Sequence, residues 1–176
     1  MRHICIYLLT IVALSTVVSC RQVPVVEVAQ APSDPLGDNR INANRIIAQS
    51  EETQIDAYAA RRGWKMQPVA GGARIWMERG ELKAEGEELA YGDTLKLEYD
   101  VETIGGERIY SGVCDTVVVG RAKPCRGVDE ALLYLPQNGK ATVVVPSEQG
   151  FGVAGDGDKI VSRTVLVYRL EVTLIR

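Results

Sequence analysis

The sequence predicts an α+β domain in which an antiparallel sheet wraps around one short helix, preceded by a longer amphipathic helix and a hairpin. Three observations carry that expectation. Apolar residues recur at helical spacing between about residues 41 and 62. Strand-like runs recur at 94–99, 116–119, 141–145 and 164–175, and one short helical stretch, Gly127–Leu135, lies among them. Strands gathered at both ends of a single helix, instead of alternating with several, separate this class from a parallel α/β fold.

Taken in order, the 176-residue chain opens on a segment, residues 1–19, that reads as a removable signal. Arg2 supplies a basic start, and Ile4 to Val18 is largely apolar, long enough for a signal core but shorter than the ~20 residues a bilayer-spanning helix needs. The run ends in Val17-Val18-Ser19-Cys20, which resembles the lipobox of bacterial lipoproteins. That resemblance implies a lipid-modified Cys20 and a mature chain held to an envelope membrane, on its periplasmic or cell-surface side. The competing reading is an ordinary secretory signal with an incidental cysteine.

Residues 20–39 contain Pro24, Pro32 and Pro35 among Val, Ser, Asp and Gly, a composition suited to an extended tether. An extension occupies 40–88. In it Ile47, Glu51, Ile55, Tyr58 and Arg62 share one helical stripe, broadened by Ile46, Ala48 and Ala59, with Gly63 as the stop. Glu51, Glu52, Asp56 and Arg61 read as a solvated face. Two apolar-rich stretches between Trp64 and Met77, divided by Val69-Ala70-Gly71-Gly72, predict a hairpin. The folded domain proper is placed at 89–176. Leu95, Leu97 and Tyr99 there share one face of a strand, and Pro136 closes the short helix.

Composition removes several chemistries. The mature chain carries 19 basic and 23 acidic side chains, a net −4, which offers nothing to nucleic acid. The sequence's one histidine, His3, lies in the expected signal, so the mature chain has none and catalytic triads, Cys-His pairs and histidine-ligated metals drop out. Gly139-Lys140-Ala141-Thr142 lacks the first glycine of a phosphate loop, and Asp156-Gly157-Asp158 lacks the remaining ligands of a calcium loop and reads as a polar turn. With Cys5 in the signal and Cys20 at the anchor, Cys114 and Cys125 remain in the body. An oxidising compartment permits them to pair; the other reading is two small buried thiols.

The order of signals from Leu89 onward resembles the FKBP-type peptidyl-prolyl isomerases. Gly139-Lys140-Ala141-Thr142-Val143-Val144-Val145-Pro146 is similar to the family's glycine turn and following strand, Phe151-Gly152-Val153-Ala154-Gly155 to its aromatic-Gly-x-x-Gly loop, and Leu166–Val172 to its closing strand. The preceding helix, the Arg62-Gly63-Trp64 junction and the hairpin look like the extension of Bacteroidetes lipoprotein FKBPs, gliding-motility-associated members included.

The resemblance implies an FKBP-like sheet around one helix and a substrate pocket built from Tyr99, Tyr110, Val117, Pro124, Cys125, Val128, Phe151, Ile160 and Tyr168. It places the Cys125 backbone N–H on a substrate carbonyl, with no acid, base, nucleophile, metal or cofactor. Four positions depart from the pattern. Ile109-Tyr110 stands where Phe-Asp is usual, so a carboxylate is missing; Val128 replaces the floor tryptophan, Phe151 a tyrosine, and Ile160-Val161-Ser162 an Ile-Pro-Pro. The function implied is prolyl isomerisation assisting the folding of exported or envelope proteins, with proline-containing polypeptides as partners. The alternative is a weak or inactive FKBP-like binding, chaperone or assembly lipoprotein.

Overall fold

The computed structural model describes residues 35–77 and 89–175. The expected signal, Cys20 and the expected tether up to residue 34 lie outside the described residues, as do residues 78–88. The chain divides into two compact units at Gly37/Asp38, and the second, Asp38–Arg176, holds the sheet. No helix among the described residues is long and apolar enough to cross a membrane.

Helix α1 (Pro35–Arg62) runs 28 residues, starting earlier than the apolar spacing predicts. Gly63 ends it with φ +66°, a left-handed conformation that glycine adopts at little cost. The hairpin is present in reduced form. Strands β1 (Gln67–Pro68) and β2 (Arg74–Trp76) flank a 3₁₀ turn at Ala70–Gly72. Trp64 stacks on Trp76 at 4.1 Å between ring centroids, fastening the chain that leaves α1 to the hairpin.

Strands β3 (Thr94–Thr103), β4 (Arg108–Val118), β5 (Lys140–Val145) and β6 (Leu166–Ile175) complete a six-stranded sheet in the order β1-β2-β5-β6-β3-β4, every neighbouring pair antiparallel. The strand expected at 116–119 is the end of the much longer β4. Residues 108–115 are mostly exposed and carry a register shift: Tyr99 pairs with Val113 but Val101 with Tyr110, leaving Ser111 and Gly112 opposite Asp100. Gly112 sits at φ +63° and donates its N–H to Asp100 Oδ1 at 2.7 Å. A bulged, exposed strand loses the alternation by which strands are recognised.

Helix α2 (Arg126–Leu132) packs Val128, Ala131 and Leu132 against the inner face of the sheet, where Leu95, Leu97, Val101, Val143, Tyr168 and Val172 are buried. Each buried valine or leucine contributes roughly 1.5–3 kcal/mol of transfer free energy. The outer face is not left to solvent throughout. Ile55 and Tyr58 of α1 bury against Val144, Val165 and Val167 there, with Trp64, Met66 and Ile104 at the rim.

Two readings of α1 are corrected by this arrangement. Ile46, assigned to the apolar stripe, is 63% exposed, and Glu51, assigned to the solvated face, is 5% exposed. Glu51 lies one turn before Ile55 on the same side of the helix. Its carboxylate accepts hydrogen bonds from Ser147 N–H at 2.9 Å and Ser147 Oγ–H at 2.6 Å, which makes burial of the charge tolerable.

The disulfide reading is corrected as well: Cys114 and Cys125 are both free thiols. Cys114 pairs in register with the exposed Glu98 and so faces outward, whereas Cys125 is buried in the core beneath the inner face. The sheet stands between them, and a bridge needs Cα atoms within roughly 4.4–6.8 Å and converging Cβ vectors.

Candidate active site

The residues singled out from the sequence converge from four directions. Register places Tyr168 of β6 beside Val101 and Tyr99 of β3 beside Leu170, so both tyrosines point to the inner face with ring centroids 5.7 Å apart. From β4 come Tyr110, opposite Val101, and Val117, opposite Leu95. The segment entering α2 brings Pro124 and Cys125, and the first turn of α2 brings Val128. The loop between β5 and β6 brings Phe151 and Ile160. Val117, Cys125, Val128, Ile160 and Tyr168 are buried in one apolar cluster, and Tyr99, Tyr110 and Phe151 pack half-buried against it. Pro124, half-buried, adjoins Cys125 along the chain.

The entry to α2 is held by a residue that sequence reasoning misses. Asp129, 7% exposed, accepts from Gly120 N–H at 2.9 Å through Oδ1 and from Ala122 N–H at 2.7 Å through Oδ2. Both donors belong to the turn that leads to Pro124 and Cys125. Among the described residues nothing accepts from the Cys125 N–H, which is left unpaired at the start of α2. An acidic residue in the first turn of a short helix is the available signal, and its value lies in the loop it grips.

A carboxylate missing from its usual position is supplied from another. Asp115, five residues beyond Tyr110 on β4, accepts a hydrogen bond from the Tyr99 hydroxyl at 2.8 Å. Burial, then that hydrogen bond, raises the Tyr99 pKa well above its ordinary value, so the phenol is a proton-bearing donor at neutral pH. Burial does the same to Tyr168, and it also raises the Cys125 thiol, which keeps the sulfur protonated and un-nucleophilic.

Tyr110 ties β4 to the β5–β6 loop. Its hydroxyl donates to Asp156 Oδ2 at 2.5 Å, with Asp158 Oδ2 at 3.2 Å, and the Lys159 ammonium lies 5.2 Å from its ring centroid. The hydrogen bond to Asp156 is the main cause that pushes the Tyr110 pKa up to about 12. Asp156 Oδ1 meanwhile accepts from the N–H groups of Asp158 and Ile160 at 2.9 and 2.8 Å, so its carboxylate organises its own turn.

These contacts set an acid limit. The Gly112 N–H, then the Ser111 hydroxyl, lowers the Asp100 pKa; at Asp156 partial desolvation opposes ionisation but is outweighed by Tyr110 and the turn N–H groups, so that pKa is lowered too. A carboxylate with a depressed folded-state pKa gives stability that is present above its unfolded value, near 4, and is lost as pH falls through the folded value. Thermal melts are thus expected to hold from pH 7 to about 5 and to fall below about 4, with a shallower fall in Asp100→Asn. A melting temperature that stays level down to pH 3 would contradict this.

A profile of the FKBP-type peptidyl-prolyl cis-trans isomerases matches residues 85–173, half of the chain. The chain belongs to that family. Its enzyme class is accordingly peptidyl-prolyl cis-trans isomerisation, with proline-containing polypeptides as the substrate class. The FKBP fold is shared with a peptidyl-prolyl cis-trans isomerase from Pseudomonas syringae pv. tomato, at 21% identity and TM-score 0.60 over 75% of this chain and 96% of that one. AtFKBP13 is similar at 21% identity and TM-score 0.52, over 61% of this chain and 95% of that one. No curated protein sequence matches. Helix α1 lies outside the residues that the family profile matches, although Val144, Val165 and Val167, on which it sits, lie within them.

Proposed function

We propose that this FKBP domain isomerises X-Pro bonds in exported polypeptides at the cell envelope, where a lipid on Cys20 holds it. The observation that supports the chemical part is the convergence of Tyr99, Val117, Cys125, Val128, Ile160 and Tyr168 in one apolar cluster beside the unpaired Cys125 N–H.

A prolyl amide isomerises across a barrier of about 18–20 kcal/mol because twisting destroys its resonance, while the two end states lie close in energy. No bond to carbon is made or broken, so neither a nucleophile nor a proton shuttle is required. An apolar wall favours the twisted amide, whose charge separation is smaller than that of the planar one, and thereby lowers the barrier. The Cys125 N–H holds the carbonyl of the substrate, Phe151 and Tyr168 bracket the proline ring, and Tyr99 and Tyr168 stay protonated. Val128 and Phe151 give less area and one hydroxyl fewer than the usual family residues, which fits an enzyme selective among prolines.

In a protease-coupled assay with proline-containing peptides, the purified chain should accelerate isomerisation in proportion to its concentration. A rate no higher than that given by an inert protein at equal concentration removes the enzymatic reading. The envelope part rests on the apolar run before Cys20 and on the resemblance of Val17-Val18-Ser19-Cys20 to a lipobox. Metabolic labelling with a palmitate analogue tests it: wild type should carry label and Cys20→Ser should not, and equal label in both defeats it.

A further inference from the structure

The FKBP domain carries an attachment that its chemistry does not call for, and its contacts lead back to the site. Among the described residues of α1, Glu51 is the buried one whose side chain engages polar groups of the domain. Its partner, Ser147, is 2% exposed and opens the 3₁₀ turn Ser147–Gln149 directly after Pro146. Two hydrogen bonds to one carboxylate fix both the backbone and the side chain of Ser147.

From Ser147 the restraint continues into the loop. The Ser147 carbonyl accepts from Gly150 N–H at 3.1 Å and from Gly152 N–H at 2.8 Å, so it closes the backbone on both sides of Phe151. The Gly152 carbonyl then accepts from Arg163 N–H at 2.7 Å, clamping the turn at the far end of the loop. The same turn is wedged laterally. A Cβ at Gly127 would stand 3.1 Å from Gln149 Cβ, and one at Gly71 would fall inside the Gln149 side chain. Gly127 adjoins Val128 and lies two residues after Cys125, so the turn abuts the helix entry as well as carrying Phe151. Helix α1 itself cannot drift, since Ile55 and Tyr58 are sunk into the outer face one and two turns further on.

We propose that Glu51 is a positioning residue of the isomerase site: through Ser147 it sets where Phe151 stands relative to Cys125 and Val128, making α1 a working part of the enzyme. The inference rests on the proposed isomerase reading for its kinetic consequence but not for its structural one. Phe151 is the chain's only phenylalanine, so incorporation of 4-fluorophenylalanine yields one fluorine resonance that reports on that ring alone.

The test compares the full chain with Glu51→Ala, Glu51→Gln and Ser147→Ala, each at a temperature where its circular dichroism is native. Leu174→Ala, at the far end of β6, serves as a control destabilised elsewhere. Glu51→Ala should shift or split the fluorine resonance and lower kcat/KM about tenfold per folded molecule, as loss of a wall's alignment does. Glu51→Gln, which keeps one acceptor, should fall between it and wild type, and Ser147→Ala, which keeps the backbone bond, should do the same. Leu174→Ala should leave both readouts at wild-type values. A fluorine resonance unchanged in Glu51→Ala overturns the proposal, as does a change of equal size in Leu174→Ala. If wild type shows no isomerase activity, the enzymatic reading fails by itself and the fluorine comparison still decides whether Glu51 places Phe151. Should Glu51→Ala not fold, Glu51→Gln and Ser147→Ala answer the same question.

Discussion

Tyr58→Ala is expected to lower the stability of the chain by about 3–5 kcal/mol, read as a fall of ~10 °C or more in melting temperature. Tyr58 is fully buried on the outer face of the sheet, among Ile55, Val144, Val165 and Val167. Trp64 meets its ring edge-on at 6.0 Å, and the Arg62 guanidinium lies 3.6 Å over its centroid. Truncation removes the ring from all of these at once and leaves a cavity that α1, held on either side by Glu51 and the Trp64 stack, cannot fully collapse. The hydroxyl is a separate matter. It is buried without a hydrogen-bond partner among the described residues, and burial raises its pKa despite the positive charge of Arg62. Tyr58→Phe should therefore stay within about 1 kcal/mol of wild type, because the hydroxyl makes no hydrogen bond of good geometry and loses only its electrostatic contact with the Arg169 guanidinium. If Tyr58→Ala melts with wild type, α1 does not cover the sheet in solution as described.

Asp129→Ala should have the largest effect on activity. The carboxylate is buried and receives two backbone N–H groups from the turn Gly120–Ala122, whose Ala122 sits at φ +55°, a conformation alanine seldom holds unaided. Removal leaves both donors unpaired and frees the turn that delivers Pro124 and Cys125. The expected cost is about 2–4 kcal/mol in stability together with a fall in kcat/KM on the order of 10², since catalysis by alignment tolerates little displacement. Asp129→Asn keeps a single acceptor and should lose less of both. Retention of full kcat/KM by folded Asp129→Ala would show that the Cys125 N–H is placed by other means.

The inner half of this molecule is legible from its sequence because burial there obeys simple periods. Leu95, Leu97 and Tyr99 alternate, Gly127–Leu135 fits two helical turns, and the glycine turn, the Phe151 loop and the closing strand appear in family order. The outer half is harder. A carboxylate such as Glu51 reads as polar wherever it stands, and only a distant serine decides that it is inside. A sign of the covered outer face is nonetheless present. Val143-Val144-Val145 and Leu166-Val167-Tyr168 are unbroken apolar runs, the pattern of strands buried on both faces, and they call for a partner beyond α2. Asp115 escapes notice because the carboxylate that serves Tyr99 comes from five residues past the place where the family pattern puts one.

The displaced register in β4 has a further consequence. Among the described strands it ends the sheet, and its exposed stretch from Ser111 to Thr116 is an edge on which a neighbouring chain could build by strand addition. The pinch at Gly112, with Asp100 occupying its N–H, twists the ladder out of line near its middle. Molecules crowded side by side are thereby denied a straight template for growth into fibrils, and the domain remains available to its substrates.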